Sequence, residues 1–316
     1  MGYGAFTTPY KNAPEMDSGI SVSNNAWATG TFGGYVELSD GRSAPKLCGL
    51  TCHHVLRPPP QPSVMTHEVF SPYDSATSSE NITISHPSMG DHQESMRGDQ
   101  RSAQKERYRL QELHERIDML GNEAHPKLFQ QVDRLKERIT YHEERLQAAE
   151  VNREIGKVMF SSGYKVSGDY GCVLDWGLIE LYPTRTGCNL LPDRSATVTY
   201  SIDAVELHGR AEKFGRTTGH TGGVINPVDS YVRFPGSQFA LETREIVVLS
   251  ETRTKVFSEG GDSGAWVLDS VGALMGMTWG GFTCRQGTFV TPIKAITDDI
   301  RSQTGHNVRL PDGYLI

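Results

Sequence analysis

The chain has 316 residues, enough to bury the core of one large domain or two ordinary ones. Its 31 basic and 38 acidic residues give a formal net charge of −7, which argues against general nucleic-acid binding, and no apolar run is long enough to cross a membrane. The five cysteines are sparse and odd in number, which indicates reduced intracellular thiols rather than a disulfide framework.

The predicted N-terminal arm, residues 1–28, has neither the basic start nor the apolar core of a signal peptide. We therefore expect a cytoplasmic protein, with the nucleus as the alternative location. The charge balance and the lack of a long apolar segment predict no nucleic-acid partner and no membrane partner. We also expect no cofactor.

Strand patterns begin at Thr29. The segments "TGTFGGYVEL" and "PKLCGLTCHHVL" are typical of strands, and the turn "SDGRS" separates them. The chain from residue 57 to residue 100 is interrupted by "RPPPQPS" and is typical of a loop. Residues 29–100 are predicted to form the first part of a β-barrel.

The central segment, residues 101–155, has helical periodicity. Apolar residues recur every three or four positions along two stretches that "GNEAHP" separates: Leu110, Leu113, Ile117 and Leu120, then Leu128, Val132, Leu135, Ile139 and Leu146. This pattern predicts an antiparallel helical hairpin. Either the two stripes pack only against each other, or part of a stripe binds a regulator or a second copy of the chain, since each seam spans only a few heptads.

Strand patterns return after the hairpin. Residues 156–185 are predicted as the second part of the first barrel, and residues 186–305 as a second barrel that ends in a helix capped by Thr291. Residues 306–316 are predicted as a tail. The predicted fold class is mostly β, with two barrels, an inserted α-helical hairpin and a C-terminal helix.

Three short motifs place reactive side chains beside predicted strands. "LTCHHVL" carries His54 at a strand end, "LDWGLIEL" carries Asp175 at the head of an apolar strand, and "GGDSGAWV" carries Ser263 between glycines. Glycines permit a turn that aims backbone N–H groups at one point, as a developing oxyanion requires. A serine hydroxyl becomes a nucleophile when an imidazole takes its proton and a carboxylate orients that imidazole.

In the order His, Asp, Ser, these motifs resemble those of the trypsin/chymotrypsin-like serine peptidase family, including intracellular fungal-type members. The resemblance covers roughly residues 30–60 and 156–305 and implies a two-barrel chymotrypsin-like fold. It implies four roles: general base His54, orienting carboxylate Asp175, nucleophile Ser263, and an oxyanion hole formed by the N–H groups of Gly261 and Ser263.

The resemblance also implies a substrate pocket. The implied substrate-binding residues are Phe257, Ser258, Thr278, Trp279, Gly280 and Gly287. Phe257 stands six residues before the serine, where members that bind Lys or Arg carry an acid, so the pocket is expected to be mainly apolar. We expect a preference for apolar or aromatic residues, which Glu259 would weaken if it reached the rim.

The sequence departs from the family pattern at two further points. His54 and Asp175 are 121 residues apart, against roughly 45 in the template, so the hairpin is interpreted as an insertion into the first barrel. No basic cleavage site precedes Ile20, so Asp262 is expected to pair with a group other than a newly cut N-terminus.

A zinc site at "CGLTCHH" is an alternative interpretation of the region around His54. Cys48, Cys52 and His54 share one face of a predicted strand, whereas His53 points away. The cysteines are more typical of small barrel-core residues, and His53 of a satisfied partner or a surface group. We therefore expect no metal.

The sequence thus predicts a serine endopeptidase that hydrolyses protein or peptide substrates through an acyl-enzyme. The alternative is a catalytically idle barrel that acts as a signalling or scaffolding module through its hairpin. A third hypothesis is that the hairpin mediates self-assembly and thereby switches cleavage on.

Overall fold

The structure is a computed structural model of the whole chain. It describes residues 10–23, 29–57, 82–123, 125–149, 152–193, 196–200, 209–233, 242–252, 254–282 and 287–311. Part of the predicted N-terminal arm, the predicted loop over residues 58–81, and Cys284 lie outside these residues.

The chain divides into two compact units. The barrel unit comprises Lys11–Met89 and Glu154–Ile316, and the hairpin unit is built from Gly90–Arg153 together with the N-terminal residues up to Tyr10. The predicted helical segment, residues 101–155, falls mostly within the hairpin unit.

The strands all belong to the barrel unit. In chain order they are β1 (Gly19–Val22), β2 (Gly30–Thr31), β3 (Gly34–Ser39), β4 (Lys46–Cys52), β5 (Thr83–Ser85), β6 (Glu154–Ser161), β7 (Lys165–Val166), β8 (Val173–Leu174), β9 (Trp176–Leu181), β10 (Thr199–Tyr200), β11 (Arg210–Gly215), β12 (Gly219–Ile225), β13 (Ser230–Arg233), β14 (Glu242–Ser250), β15 (Trp266–Leu268), β16 (Ala273–Gly281), β17 (Gly287–Pro292) and β18 (Asn307–Arg309).

The first barrel is an antiparallel sheet in the order β18-β3-β4-β9-β6-β5-β1-β2. Strand β4 lies between β3 and β9, with Leu50 opposite both Gly34 and Leu178. The segment Asn307–Arg309, which was predicted as a tail, instead pairs with β3 as strand β18. The chain therefore returns to the first barrel after completing the second.

The second barrel follows the order β10-β16-β15-β11-β12-β14-β13, and β17 pairs with both β14 and β16. Most of these pairs are antiparallel, although β10 runs parallel to β16. Its core includes the fully buried Phe257 and Val267. A second cluster, which contains Trp176 and Trp266, extends from the first barrel. The mostly β, two-barrel fold that the sequence predicted is present.

The hairpin unit contains helix α1 (Met89–Leu120), apart from its first residue Met89, which belongs to the barrel unit, and helix α2 (Pro126–Ala148). The apolar stripe positions Val132 and Ile139 are its buried apolar residues in α2. The ion pairs between the helices show that the helices are antiparallel. Asp99 of α1 lies 3.0 Å from Arg145 of α2, whereas Glu106, which comes later in α1, lies 3.5 Å from Arg138, which comes earlier in α2. The predicted helical hairpin is therefore present.

Helix α1 begins at Met89, whereas the sequence predicted a loop as far as residue 100. The segment from Met89 to Gln100 has no apolar stripe, which is why its sequence does not predict a helix. Its first turn is supported by a distant group, because the Met89 N–H donates to the Ser21 hydroxyl at 3.0 Å. Sequence periodicity cannot show such a contact.

The C-terminal helix, α3 (Ile293–Thr304), begins after Pro292 and ends at Gly305, whose φ of 72° is left-handed. Thr291 was predicted to cap it, but the Thr291 hydroxyl donates to the Val173 carbonyl at 2.8 Å instead. Among the described residues, no helix has the length and the apolar character that a membrane span needs.

Candidate active site

His54 and Asp175 are joined directly. Strand β4 ends at Cys52, and a short 3-10 turn over His53–Val55 brings His54 to the carboxylate that lies between β8 and β9. The His54 Nδ1 lies 2.6 Å from Asp175 Oδ2, and the His54 backbone N–H donates to Oδ1 at 3.0 Å. The His54 side chain is 30% exposed and that of Asp175 is 0% exposed. The carboxylate is thus enclosed, and both of its oxygens are used by the same histidine.

The electrostatics of this pair favour a basic imidazole. Burial lowers the pKa of His54, but the charge and the hydrogen bond of Asp175 outweigh burial and leave that pKa raised above its ordinary value. A hydrogen bond at Nδ1 also leaves Nε2 as the ring nitrogen available to a third group.

The neighbouring His53 has a different environment. It is buried, its Nδ1 contacts the Ser161 hydroxyl, and its ring lies edge-on to Tyr164. Burial lowers the pKa of His53 to about 4, against the opposing charge of Asp175. His53 is therefore a neutral, partnered histidine, as the sequence interpretation favoured.

Cys52 lies close to the same pair, because its sulfur, a His54 nitrogen and an Asp175 oxygen are all within 4.8 Å of one another. The Cys52 thiol donates to the Thr278 carbonyl at 3.2 Å. Complete burial, followed by the Asp175 charge, raises the pKa of Cys52 well above its ordinary value. The thiol is thus bound to Thr278, and His54 and Asp175 are bound to each other, so all three groups already have protein partners. Cys48 is also buried, but its sulfur contacts Met159 instead.

Ser263 lies in a turn bounded by glycines with positive φ, 99° at Gly261 and 95° at Gly264. A Cβ at Gly264 would collide with the Thr51 hydroxyl and the Thr31 carbonyl, so this close approach requires glycine. The Ser263 carbonyl accepts a hydrogen bond from the Thr31 N–H at 2.8 Å. The turn of the second barrel is therefore fixed to strands of the first barrel.

The backbone N–H groups of this turn differ in whether they donate hydrogen bonds to backbone carbonyls. The Asp262 N–H donates to the Glu259 carbonyl at 3.0 Å, and the Gly264 N–H donates to the Thr278 carbonyl at 2.9 Å. Among the described residues, no backbone carbonyl accepts from the N–H of Gly261 or Ser263, and the Ser263 hydroxyl makes no hydrogen bond to His54. Such bonds are often absent before substrate binds.

Asp262, beside the serine, is buried and fully engaged. Its Oδ1 accepts from the N–H groups of Thr217 at 2.8 Å and Thr218 at 3.2 Å. Its Oδ2 accepts from the Glu259 N–H at 3.0 Å and lies 3.3 Å from the Lys213 ammonium. Lys213 is itself fully buried, and burial lowers its pKa against the opposing charge of Asp262. An internal lysine is thus the partner that the sequence analysis expected for Asp262 but did not name.

A cavity of about 370 Å³ opens beside the serine. Its lining includes Ser263 and four of the predicted pocket residues, Ser258, Thr278, Gly280 and Gly287. Phe257 and Trp279, which the sequence also placed in the pocket, are not among the lining residues. Phe257 packs in the second core, where the Lys213 ammonium lies 5.7 Å from its ring centre, and Trp279 stacks on Phe289.

Residues 182–307 match the model of peptidase family S64. The matched segment includes the Ser263 turn, Lys213 and most of the second barrel. The match covers less than half of the chain, and it relates the segment that carries Ser263 to a peptidase family.

Solved structures similar to this chain include Thermobifida fusca Protease A, at 15% identity and a TM-score of 0.46, with 95% of this chain and 100% of that chain covered. Nocardiopsis Protease is similar at 13% identity and a TM-score of 0.43, with coverage of 93% and 97%. Cellulomonas bogoriensis chymotrypsin is similar at 20% identity and a TM-score of 0.34, with coverage of 49% and 76%. No curated protein sequence matches this chain.

Sequence reasoning missed two groups near the candidate site. Lys213 occurs in "AEKFG", where every residue except Glu212 is buried, and a lysine in such a segment was the available signal. Cys52 was assigned to the core, but its proximity to Asp175 depends on the pairing of Cys52 with Trp176 across β4 and β9.

Proposed function

We propose that His54, Asp175 and Ser263 form the catalytic triad of a serine endopeptidase that acts through an acyl-enzyme. The observation that carries this proposal is the enclosed Asp175 carboxylate, which binds His54 through both its backbone N–H and its Nδ1. A buried carboxylate in this arrangement fixes the imidazole tautomer and stabilises the imidazolium. The intact Gly-Asp-Ser-Gly turn supplies the third member.

In the proposed reaction, His54 Nε2 removes the proton from the Ser263 hydroxyl as its oxygen attacks the substrate carbonyl. His54 then gives that proton to the leaving amine, so the peptide C–N bond breaks and the acyl group remains on Ser263. A water molecule, activated by the same base, attacks the ester and releases the acid product. Asp175 keeps its negative charge throughout and stabilises the imidazolium each time it forms.

We assign the oxyanion hole to the backbone N–H groups of Gly261 and Ser263. Their neighbours Asp262 and Gly264 already donate to backbone carbonyls, whereas these two N–H groups donate to no backbone carbonyl of the residues that the structure describes. Donors held in a turn before the reaction need no reorganisation when the oxyanion forms, and each such donor typically contributes about 3 kcal/mol.

The cavity beside Ser263 is the proposed primary specificity pocket. Three of its lining glycines, Gly280, Gly281 and Gly287, contribute no side chains to it, and Phe282 supplies an apolar surface. The Asp262 carboxylate is already paired with Lys213, so it offers no free charge to a basic side chain, whereas Glu259 also lines the cavity and weakens the apolar preference. We therefore propose a preference for apolar side chains, with Ser258 and Thr288 forming a mutual hydroxyl contact of 2.6 Å nearby.

The test is reaction of the purified protein with a fluorophosphonate, which labels an activated serine. We expect labelling of the wild type and none in Ser263→Ala or His54→Ala. The matched controls are Ser43→Ala and His220→Ala, which alter an exposed serine and an exposed histidine. A folded wild type that fails to react would contradict the triad and favour the idle-barrel alternative.

A further inference from the structure

The strand that leads to Asp175 is held by side chains of the second barrel. The Val173 N–H donates to Glu245 Oε1 at 2.9 Å, and the Val173 carbonyl accepts from the Thr291 hydroxyl at 2.8 Å. Val173 lies two residues before Asp175. Its N–H and its C=O are therefore both fixed by residues from β14 and β17, which pair with each other at Ile246 and Val290.

Glu245 is an unusual residue for this position because its side chain is 0% exposed. Burial raises the pKa of Glu245, while hydrogen bonds from the Val173 N–H, the Thr243 hydroxyl and the Trp279 indole lower that pKa by less than burial raises it. A buried carboxyl group costs more than an apolar residue of the same size, so its presence calls for a positional explanation.

We propose that Glu245 and Thr291 are positioning residues that set the place of the Asp175 carboxylate relative to the second barrel. The proposal rests on the triad proposed above. Ser263 belongs to the second barrel and His54 to the first, so catalysis requires the two barrels to keep a fixed relative position. The two hydrogen bonds to Val173 fix that relative position two residues from the Asp175 carboxylate. A small displacement of Val173 would therefore move the carboxylate that binds His54.

The experiment compares substitutions that remove each bond with substitutions that retain it. Glu245→Met and Thr291→Val remove the acceptor and the donor, whereas Glu245→Gln and Thr291→Ser retain them. The measured quantities are the limiting rate and the half-saturating concentration of fluorophosphonate labelling. Misplacement of a reacting group by about 1 Å can cost about 100-fold in rate.

We expect Glu245→Met and Thr291→Val to lower the limiting rate by about 10- to 100-fold with little change in half-saturation, and the conservative substitutions to restore it to within about threefold. Val248→Ala, a buried change on the same strand, is the control for general destabilisation. Labelling of Glu245→Met at the wild-type limiting rate would overturn the proposal. A wild type without labelling would instead overturn the triad, so the two failures are distinguishable.

The hairpin unit carries an independent feature, a groove rimmed by arginines. The rim includes Arg109 and Arg116 from α1 and Arg134 and Arg138 from α2, the floor contains the half-buried Leu113 and Leu135, and Glu112 is the acid that also lines it. Positive charge is thus concentrated around an apolar floor.

The rim arginines differ in their partners. Glu106 lies 3.3 Å from Arg109 and 3.5 Å from Arg138, so these two arginines share one carboxylate. In the part of the chain that the structure describes, no carboxylate lies within ion-pair distance of Arg116 or Arg134.

The other arginines that link the two helices are individually paired. Arg107 contacts Glu143, and Arg145 contacts Asp99. We infer from this difference that the groove binds an acidic peptide segment that carries an apolar side chain. Arginine clusters favour carboxylates because the planar guanidinium can donate to both oxygens, and the leucine floor would accept the apolar side chain.

The test uses a fluorescent peptide of glutamates and leucines, and a matched peptide in which glutamine replaces each glutamate. We expect the full-length protein to bind the acidic peptide at least tenfold more tightly than the neutral one, and the double variant Arg116→Gln, Arg134→Gln to lose about tenfold in affinity. The control Lys127→Gln, Lys136→Gln removes the same charge from exposed positions outside the groove and should change the affinity less than twofold.

Two results would overturn this inference. One is equal binding of the two peptides, which would assign the affinity to the leucines alone. The other is equal affinity in the groove variant and its control, which would reduce the effect to net charge. Concentration-dependent self-association that the groove variant abolishes, without peptide binding, would identify a second copy of the chain as the occupant instead.

Discussion

The charged side chains of the candidate site are buried in the barrel unit, whereas the ion-paired side chains of the hairpin unit lie at its surface. Asp175 and the Lys213–Asp262 pair have side-chain exposures of 1% or less, but Arg107 and Glu143 of the hairpin are 58% and 47% exposed. In both units the oppositely charged partners lie close together. The two units therefore differ in how far water reaches these partners.

The exposure of an ion pair to water determines how much the pair contributes to the free energy of folding. An exposed ion pair is screened by water and contributes little to folding, because the side chains also lose freedom when they meet. Removing one member of a buried pair leaves the other as an uncompensated charge, which is strongly destabilising. The same substitution should therefore have large effects in the barrels and small ones in the hairpin.

The largest expected effect is on reactivity at Asp175. Asp175→Asn retains the size of the side chain but favours the wrong His54 tautomer, so we expect the rate of fluorophosphonate labelling to fall by about 10⁴-fold. Asp40→Asn, at an exposed turn, is the control and should leave the rate unchanged. Less than a tenfold loss would show that the enclosed carboxylate does not act through His54.

The next effect is on stability. Lys213→Met leaves Asp262 buried without its ammonium partner, so we expect the free energy of unfolding to fall by about 3–5 kcal/mol. The control is Lys46→Met, which removes a surface partner of Glu180 in the first barrel and should cost less than about 1 kcal/mol. Denaturant unfolding measures both, and equal losses would contradict the contrast between buried and exposed pairs.

A pH profile sharpens the role of the His54–Asp175 pair. His54 must be neutral to act as a base, and its pKa is raised. The labelling rate should therefore increase with pH through an inflection above the ordinary histidine value of about 6.5, with about a tenfold change per pH unit below it. An inflection clearly below that value would contradict the raised pKa.

Folding stability should depend on pH in the opposite sense. A histidine whose pKa is raised by folding contributes stability that is fully present below its unfolded pKa and is lost as pH rises through its folded pKa. His54 should therefore contribute most to stability where it is least reactive. Comparing unfolding of the wild type and Asp175→Asn across this range tests the sign.

The smallest effect is expected in the hairpin. Arg107→Ala should change the free energy of unfolding by less than about 1 kcal/mol, and high salt should remove most of that change. A double-mutant cycle with Glu143→Ala isolates the pair. A coupling above about 2 kcal/mol would mean that exposure does not weaken this contact.

Most of the architecture could be predicted because it depends on local patterns. Alternating residues predicted the strands of both barrels, and the three motifs placed His54, Asp175 and Ser263 beside them. The roles of these three residues remain proposals, since the sequence and the contacts support them without measuring reactivity.

The remaining features depend on residues that are distant in sequence. The start of α1 at Met89 is supported by Ser21, and Thr291 contacts Val173 instead of capping α3. Phe257 was placed in the pocket by its distance from the serine, but its side chain packs into the second core. Local spacing gives the position of a residue along the chain, and it does not give the direction in which its side chain points.

Strand β18 has a consequence for biosynthesis. The first barrel receives this strand only after both barrels and α3 have been translated, because Asn307–Arg309 pairs with Glu37–Ser39 of β3. Until then, the backbone N–H and C=O groups along that edge of β3 lack their final partner and could pair with another nascent chain. A ribosome stalled before residue 307 would therefore carry a first barrel in which this edge of β3 is unpaired.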